Sequence, residues 1–163
     1  MKEEMCSDFN EIIHFAIRRE EEAARSYGKL AKMATTGERK KMLLELQGEE
    51  KNHKATLANL SRSKVKPVAL SRISDLKISD YLVEEPLGPD IDLQGLLIFA
   101  AKKELKSFQL YSDLAGRCQS PEQKEIFKFL AAQEKAHKLR LETEYEKHFL
   151  PMTDFEAKST GGP

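Results

Sequence analysis

Four stretches of the chain repeat apolar side chains at intervals of three and four, the period of an amphipathic helix. In residues 9–34 the stripe is Phe9, Ile13, Ala16, Ala23, Tyr27, Leu30 and Ala34. In residues 38–60 it is Leu43, Leu46, Leu57 and Leu60. Residues 91–116 carry Leu93, Leu97, Ala100, Tyr111 and Leu114, and residues 121–149 carry Phe127, Leu130, Leu141 and Tyr145. Start and stop signals bracket these stretches. Asp8 with Glu11 and Thr35 with Glu38 have the spacing of capping boxes, and Asp90 precedes the third stretch. Ser120 followed by Pro121 opens the fourth, and Pro151 ends it. Residues 159–163 are expected to be disordered.

Laid on itself at an offset of 84 residues, the chain matches without a gap. Phe15 falls on Phe99, Ala16 on Ala100, Glu20 on Glu104, Tyr27 on Tyr111, Leu46 on Leu130, Glu50 on Glu134, His53 on His137 and Leu57 on Leu141. The simplest origin is a helical hairpin written twice. It predicts an all-α fold: a four-helix bundle of two hairpins about a pseudo-twofold axis, with residues 1–150 as one domain and 151–163 as a tail. Residues 61–90, with Pro67, Pro86 and Pro89, are long enough to cross the length of the bundle between helices two and three. One short turn is expected around residues 73–82.

Each apolar stripe is interrupted at a core-facing position. Glu20 lies between Ala16 and Ala23, and Glu104 between Ala100 and Tyr111. Glu50 and His53 lie between Leu46 and Leu57, and Glu134 and His137 between Leu130 and Leu141. A buried, unpaired carboxylate costs several kcal/mol, and four together also repel. Two protonated histidines supply at most half of the compensating charge; two divalent ions supply all of it. One Glu from each of two helices, plus Glu-x-x-His from each of the other two, is the ligand set of di-iron and di-manganese bundles. Carboxylate and imidazole without thiolate favour iron or manganese over structural zinc. Two ions about 3.5–4 Å apart suit a two-oxygen co-substrate, hydrogen peroxide or dioxygen. Tyr27 and Tyr111 read either as core filler or as phenols donating to a ligating carboxylate of another helix. Glu21, Glu22 and Glu49 fall off the stripes and are expected in solvent, as is the rest of residues 18–22 apart from Glu20. His14 and His148 are expected at the surface, and Cys6 and Cys118 have no assigned role.

Lys plus Arg and Asp plus Glu are 27 each, so the net charge of zero argues against electrostatic binding of nucleic acid. The longest apolar run, residues 96–101, is far short of a membrane span. No apolar segment follows the charged first residues, which points to the cytoplasm. There is no C-x-x-C, and so no cysteine-rich metal module among these residues.

Together, Glu20-x-x-Ala23-x-x-x-Tyr27, Glu50-x-x-His53, Glu104 with Tyr111, and Glu134-x-x-His137 resemble the rubrerythrin branch of the ferritin-like superfamily. The phrase at residues 75–82, DLKISDYL, resembles linkers of related proteins. The resemblance covers about residues 9–149. It implies a left-handed bundle holding two non-haem iron ions, with manganese as the alternative. Glu20, Glu50 and His53 would serve chiefly one ion and Glu104, Glu134 and His137 the other, with Glu50 and Glu134 bridging. It further implies a homodimer or larger assembly that reduces hydrogen peroxide or oxidises ferrous iron. Two features depart from rubrerythrins proper. These residues carry no four-cysteine rubredoxin motif, so turnover is expected to call for an external donor such as a rubredoxin-like protein. Ser107 stands where those proteins carry an extra glutamate, three residues after the third-helix ligand, which leaves a plain symmetric set closer to ferritin-like oxidases. The pattern is compatible with peroxide or oxygen chemistry, with ferroxidase activity and iron handling, and with a non-catalytic metal-binding module.

Overall fold

The structure, a computed structural model, describes residues 2–62, 78–83, 92–118 and 120–149. It contains helices α1 (Lys2–Met33), α2 (Gly37–Arg62), α3 (Leu93–Arg117) and α4 (Pro121–Phe149), and a 3-10 turn, Ile78–Tyr81. Among the described residues there is no strand. α1 packs along α2 and α3 along α4; the two hairpins meet through α1 against α3 and α2 against α4. This is the four-helix bundle that the duplicated hairpin predicts, with the architecture that the resemblance to the ferritin-like superfamily implies.

Two apolar clusters fix the helix directions. One joins Phe9 and Ile13 of α1, Leu57 of α2, Leu114 of α3 and Phe127 and Leu130 of α4. The other joins Tyr27 and Leu30 of α1, Leu43 and Leu46 of α2, Leu97 of α3 and Leu141 of α4. The end of α2 and the end of α3 therefore lie at the same end of the bundle. The chain from residue 62 to residue 93 must connect opposite ends, as the long crossover requires.

Local signals set the helix boundaries, with three corrections to the sequence reading. α1 begins at Lys2, so Asp8 is inside the helix and not its cap. The preceding residues include Glu3, Glu4 and Met5 and no Gly or Pro, so nothing halts propagation toward the N-terminus. α2 is capped by Thr36, not Thr35: its hydroxyl accepts from Arg39 N at 3.2 Å, and its carbonyl from Lys40 N at 3.1 Å. Two adjacent threonines have equal propensity, and the register that buries Leu43 selects between them. α3 is capped by Asp92, whose side chain accepts from Gly95 N at 2.8 Å. Asp90 lies outside the described residues, as do most of the crossover with its prolines, the side chain of Cys6, Pro151 and the tail. Ser120 sits at the start of α4 as expected, accepting from Lys124 N at 3.0 Å through its carbonyl.

Arg19 is not on a solvated face but 7% exposed. Its guanidinium donates to Tyr81 O at 2.6 Å and to Lys103 O at 3.2 Å, and lies 5.6 Å from the Phe15 ring centre. Tyr81 is buried in the first apolar cluster, and its hydroxyl donates to Asp113 at 2.6 Å. One arginine thus ties the crossover turn to both hairpins, through a carbonyl of the turn and one of α3. Arg19→Ala is expected to destabilise the metal-free protein by about 2–3 kcal/mol in chemical denaturation, from the loss of two charge-assisted hydrogen bonds. Limited proteolysis of that variant should cut near residues 78–83 before it cuts the helices.

Candidate metal centre

Glu20, Glu50, His53, Glu104, Glu134 and His137 form one polar layer between the two apolar clusters. None is more than 3% exposed. The flanking stripe residues put them there. Glu50 and His53 are one turn apart between buried Leu46 and Leu57, and Glu134 and His137 between buried Leu130 and Leu141. Helices that bury those leucines carry the polar residues inward with them.

Both imidazoles point Nδ1 into the layer. His53 Nδ1 lies 2.7 Å from Glu134 Oε1 and 3.6 Å from both Glu20 Oε2 and Glu50 Oε2. His137 Nδ1 lies 2.6 Å from Glu50 Oε1, 3.8 Å from Glu104 Oε1 and 3.9 Å from Glu134 Oε1. The rings stack, with centroids 5.5 Å apart and planes 15° apart. Two groups of four ligand atoms result: Glu20, Glu50, His53 and Glu134; and Glu50, Glu104, Glu134 and His137. Within each group the atoms lie within 4.8 Å of one another, and Glu50 and Glu134 belong to both.

The layer fits a pair of cations better than it fits itself. Glu20 Oε2, Glu50 Oε2, Glu104 Oε2, Glu134 Oε1 and both ring nitrogens of His53 are buried with no hydrogen bond among the described residues. His53 Nδ1 and Glu134 Oε1 are close but not aligned to bond. Buried polar atoms are almost always satisfied, and a cluster of unsatisfied acceptors around one point is what a bound cation would answer. Oxygen and imidazole donors suit iron or manganese.

Protons stand in for cation charge in the metal-free protein. Burial, then the neighbouring carboxylates, pushes Glu20 and Glu134 well above the usual range. Burial alone would lower His53 and His137, but the carboxylates around them raise each to about 10. Glu50, which burial pushes upward, is held well below the carboxylate range by its partners Glu20, His137 and His53.

The two tyrosines clamp the layer across the hairpins. Tyr27 of α1 donates to Glu104 of α3, and Tyr111 of α3 donates to Glu20 of α1, at 2.5 Å. The 84-residue offset exchanges these two hydrogen bonds. Burial, and next the nearby carboxylates, holds both phenols well above their usual pKa, so they remain donors. The off-stripe glutamates keep solvent-accessible side chains, as their register suggests, and each has a partner there. Glu21 pairs with Lys54 at 2.9 Å, and Glu22 with Lys103 at 3.0 Å. Glu49 hydrogen-bonds His137 Nε2 from a side chain 40% exposed. The internal repeat hides this residue, because its counterpart is Gln133. His14 is exposed, and His148, also exposed, pairs with Glu144 at 2.9 Å. Cys118 is buried, and burial pushes its thiol up to about 11.

A pH dependence follows for the metal-free protein. His53 and His137 hold protons in the folded state up to about pH 10 but lose them when unfolded near their ordinary 6.5. Their contribution is complete below pH 6.5 and is lost as the pH rises toward 10. Glu20 and Glu134, raised above 4.5, act in the same direction from lower pH. Thermal unfolding with chelator present should give a lower Tm at pH 9.5 than at pH 6, beyond the change in a variant with both histidines replaced.

Comparison with known proteins agrees with this geometry. The rubrerythrin family profile matches residues 11–145, and a second match covers residues 95–160. A solved structure of a hypothetical protein from Pyrococcus furiosus is similar at 25% identity and a TM-score of 0.64, over 84% of this chain and 87% of that one. No curated protein matches the chain. No helix among the described residues is long and apolar enough to cross a membrane. With the profile spanning all four helices and the whole polar layer, the chain belongs to the rubrerythrin family of the ferritin-like superfamily.

Proposed function

We propose that the chain is a non-haem di-iron oxidoreductase acting on hydrogen peroxide or dioxygen. The observation that carries this reading is the pair of overlapping four-residue groups sharing Glu50 and Glu134. Two iron ions held there would supply two electrons to a two-oxygen substrate on passing from ferrous to ferric. Glu20 and His53 would hold chiefly one ion, Glu104 and His137 the other, and Glu50 and Glu134 both. Manganese has the same donor preferences and is the alternative metal.

The chain's own residues have separate tasks. The Tyr27 and Tyr111 hydroxyls hold Glu104 and Glu20 in orientation, each reaching from the opposite hairpin. Leucines of the two apolar clusters keep water from both sides of the polar layer. His53 and His137, Glu20 and Glu134 carry protons in the metal-free protein, and these must leave as cations enter. Electrons for repeated turnover would come from a donor outside these residues, such as a rubredoxin-like protein, in the cytoplasm, with the chain as a homodimer or larger assembly.

Ser107 favours a second reading. It stands one turn after Glu104 and is only partly buried, and it adds no carboxylate to the layer. Iron oxidation by dioxygen, as a ferroxidase, fits that symmetric set.

Anaerobic loading should take up about two Fe(II) per chain with release of protons. Stopped-flow mixing with peroxide and, in parallel, with oxygen then decides. Faster oxidation by peroxide supports peroxide reduction, and faster oxidation by oxygen supports the ferroxidase; a ferrous protein inert to both would leave only a metal-binding module. Glu50→Ala removes a ligand common to both groups and is expected to abolish most iron uptake. Unchanged uptake in that variant, by equilibrium dialysis, would contradict the shared-ligand assignment.

A further inference from the structure

We propose that Glu49 is a positioning residue for His137 and makes the two halves of the metal centre unequal; this rests on the metal reading above. The polar layer is otherwise symmetric. The offset of 84 exchanges Glu20 with Glu104, Glu50 with Glu134, His53 with His137 and Tyr27 with Tyr111. Glu49 breaks that symmetry, because its counterpart is the neutral Gln133.

The break falls on the outward nitrogens of the two histidines. Both rings turn Nδ1 inward, toward the shared carboxylates. His137 Nε2 meets the carboxylate of Glu49, which reaches it from α2. His53 Nε2 is buried and has no hydrogen-bond partner among the described residues. Gln133, partly buried on α4, has the matching position but carries no charge.

A carboxylate accepting the outer N–H of an imidazole fixes the ring and its tautomer, leaving the Nδ1 lone pair for a cation. It also makes that nitrogen a stronger donor. The ion beside His137 and Glu104 is therefore held more tightly than the ion beside His53 and Glu20, and it loads first. Glu49 acts through His137 and touches no reacting atom. Its exposed side also gives His137 a polar link to solvent between α2 and α4, which His53 lacks.

The test is an anaerobic calorimetric titration of the metal-free protein with Fe(II), repeated with Co(II), whose visible spectrum reports coordination. Wild type should bind in two unequal steps. E49Q should weaken the tighter step about 10- to 100-fold, the usual effect of losing such a partner, and leave the weaker step in place. Q133E, which offers His53 the missing carboxylate, should strengthen the weaker step alone. Isotherms of both variants that superimpose on wild type, or both steps weakening together in E49Q, would overturn the role of Glu49. Failure of the wild type to take up either ion would sink the metal reading, and this proposal with it.

Discussion

Four carboxylates and two imidazoles buried at the middle of a helical bundle are the constraint to which the rest of this structure answers. Ion groups in a low-dielectric interior are tolerated only when their charge is compensated and their lone pairs are used. Here several carboxylate oxygens have no hydrogen bond among the described residues, and protons on histidine and glutamate carry the compensation. A metal-free bundle of this kind gives up stability at its centre to keep a charged layer. The two apolar clusters on either side have to supply the cohesion the layer does not.

Those clusters also explain why the layer is so confined. Each helix delivers one or two polar side chains and returns to leucine, alanine or tyrosine within two turns. Water is kept out above and below, and the carboxylates are pressed toward one another. The tyrosine–glutamate bonds then join α1 to α3, one hairpin to the other, in both directions. The same contacts serve packing and orientation, so site and fold are not separable here.

Duplication gives the layer its twofold character and so two related groups of residues that could each hold a cation. Single substitutions between the copies then differentiate them. Glu49 against Gln133 changes the environment of one imidazole, and Arg19 against Lys103 turns one equivalent pair into a donor and a carbonyl acceptor across the axis. Symmetry within the layer and asymmetry around it leave two related groups of side chains in unlike surroundings.

The sequence by itself determined the four helices, their pairing into hairpins and the six residues of the layer. Periodicity and a repeat at constant offset are local, additive signals, and a charged residue in a leucine register is conspicuous. It did not locate the caps of α1, α2 and α3, because adjacent polar residues have similar propensities and only the buried face selects among them. Nor did it show Arg19 inside or Glu49 on His137. Arg19 is a long side chain whose head reaches carbonyls 62 and 84 residues away, and Glu49 crosses from α2 to α4. Such contacts depend on how two helices are set against each other, and that distance and rotation exist only once the bundle has closed.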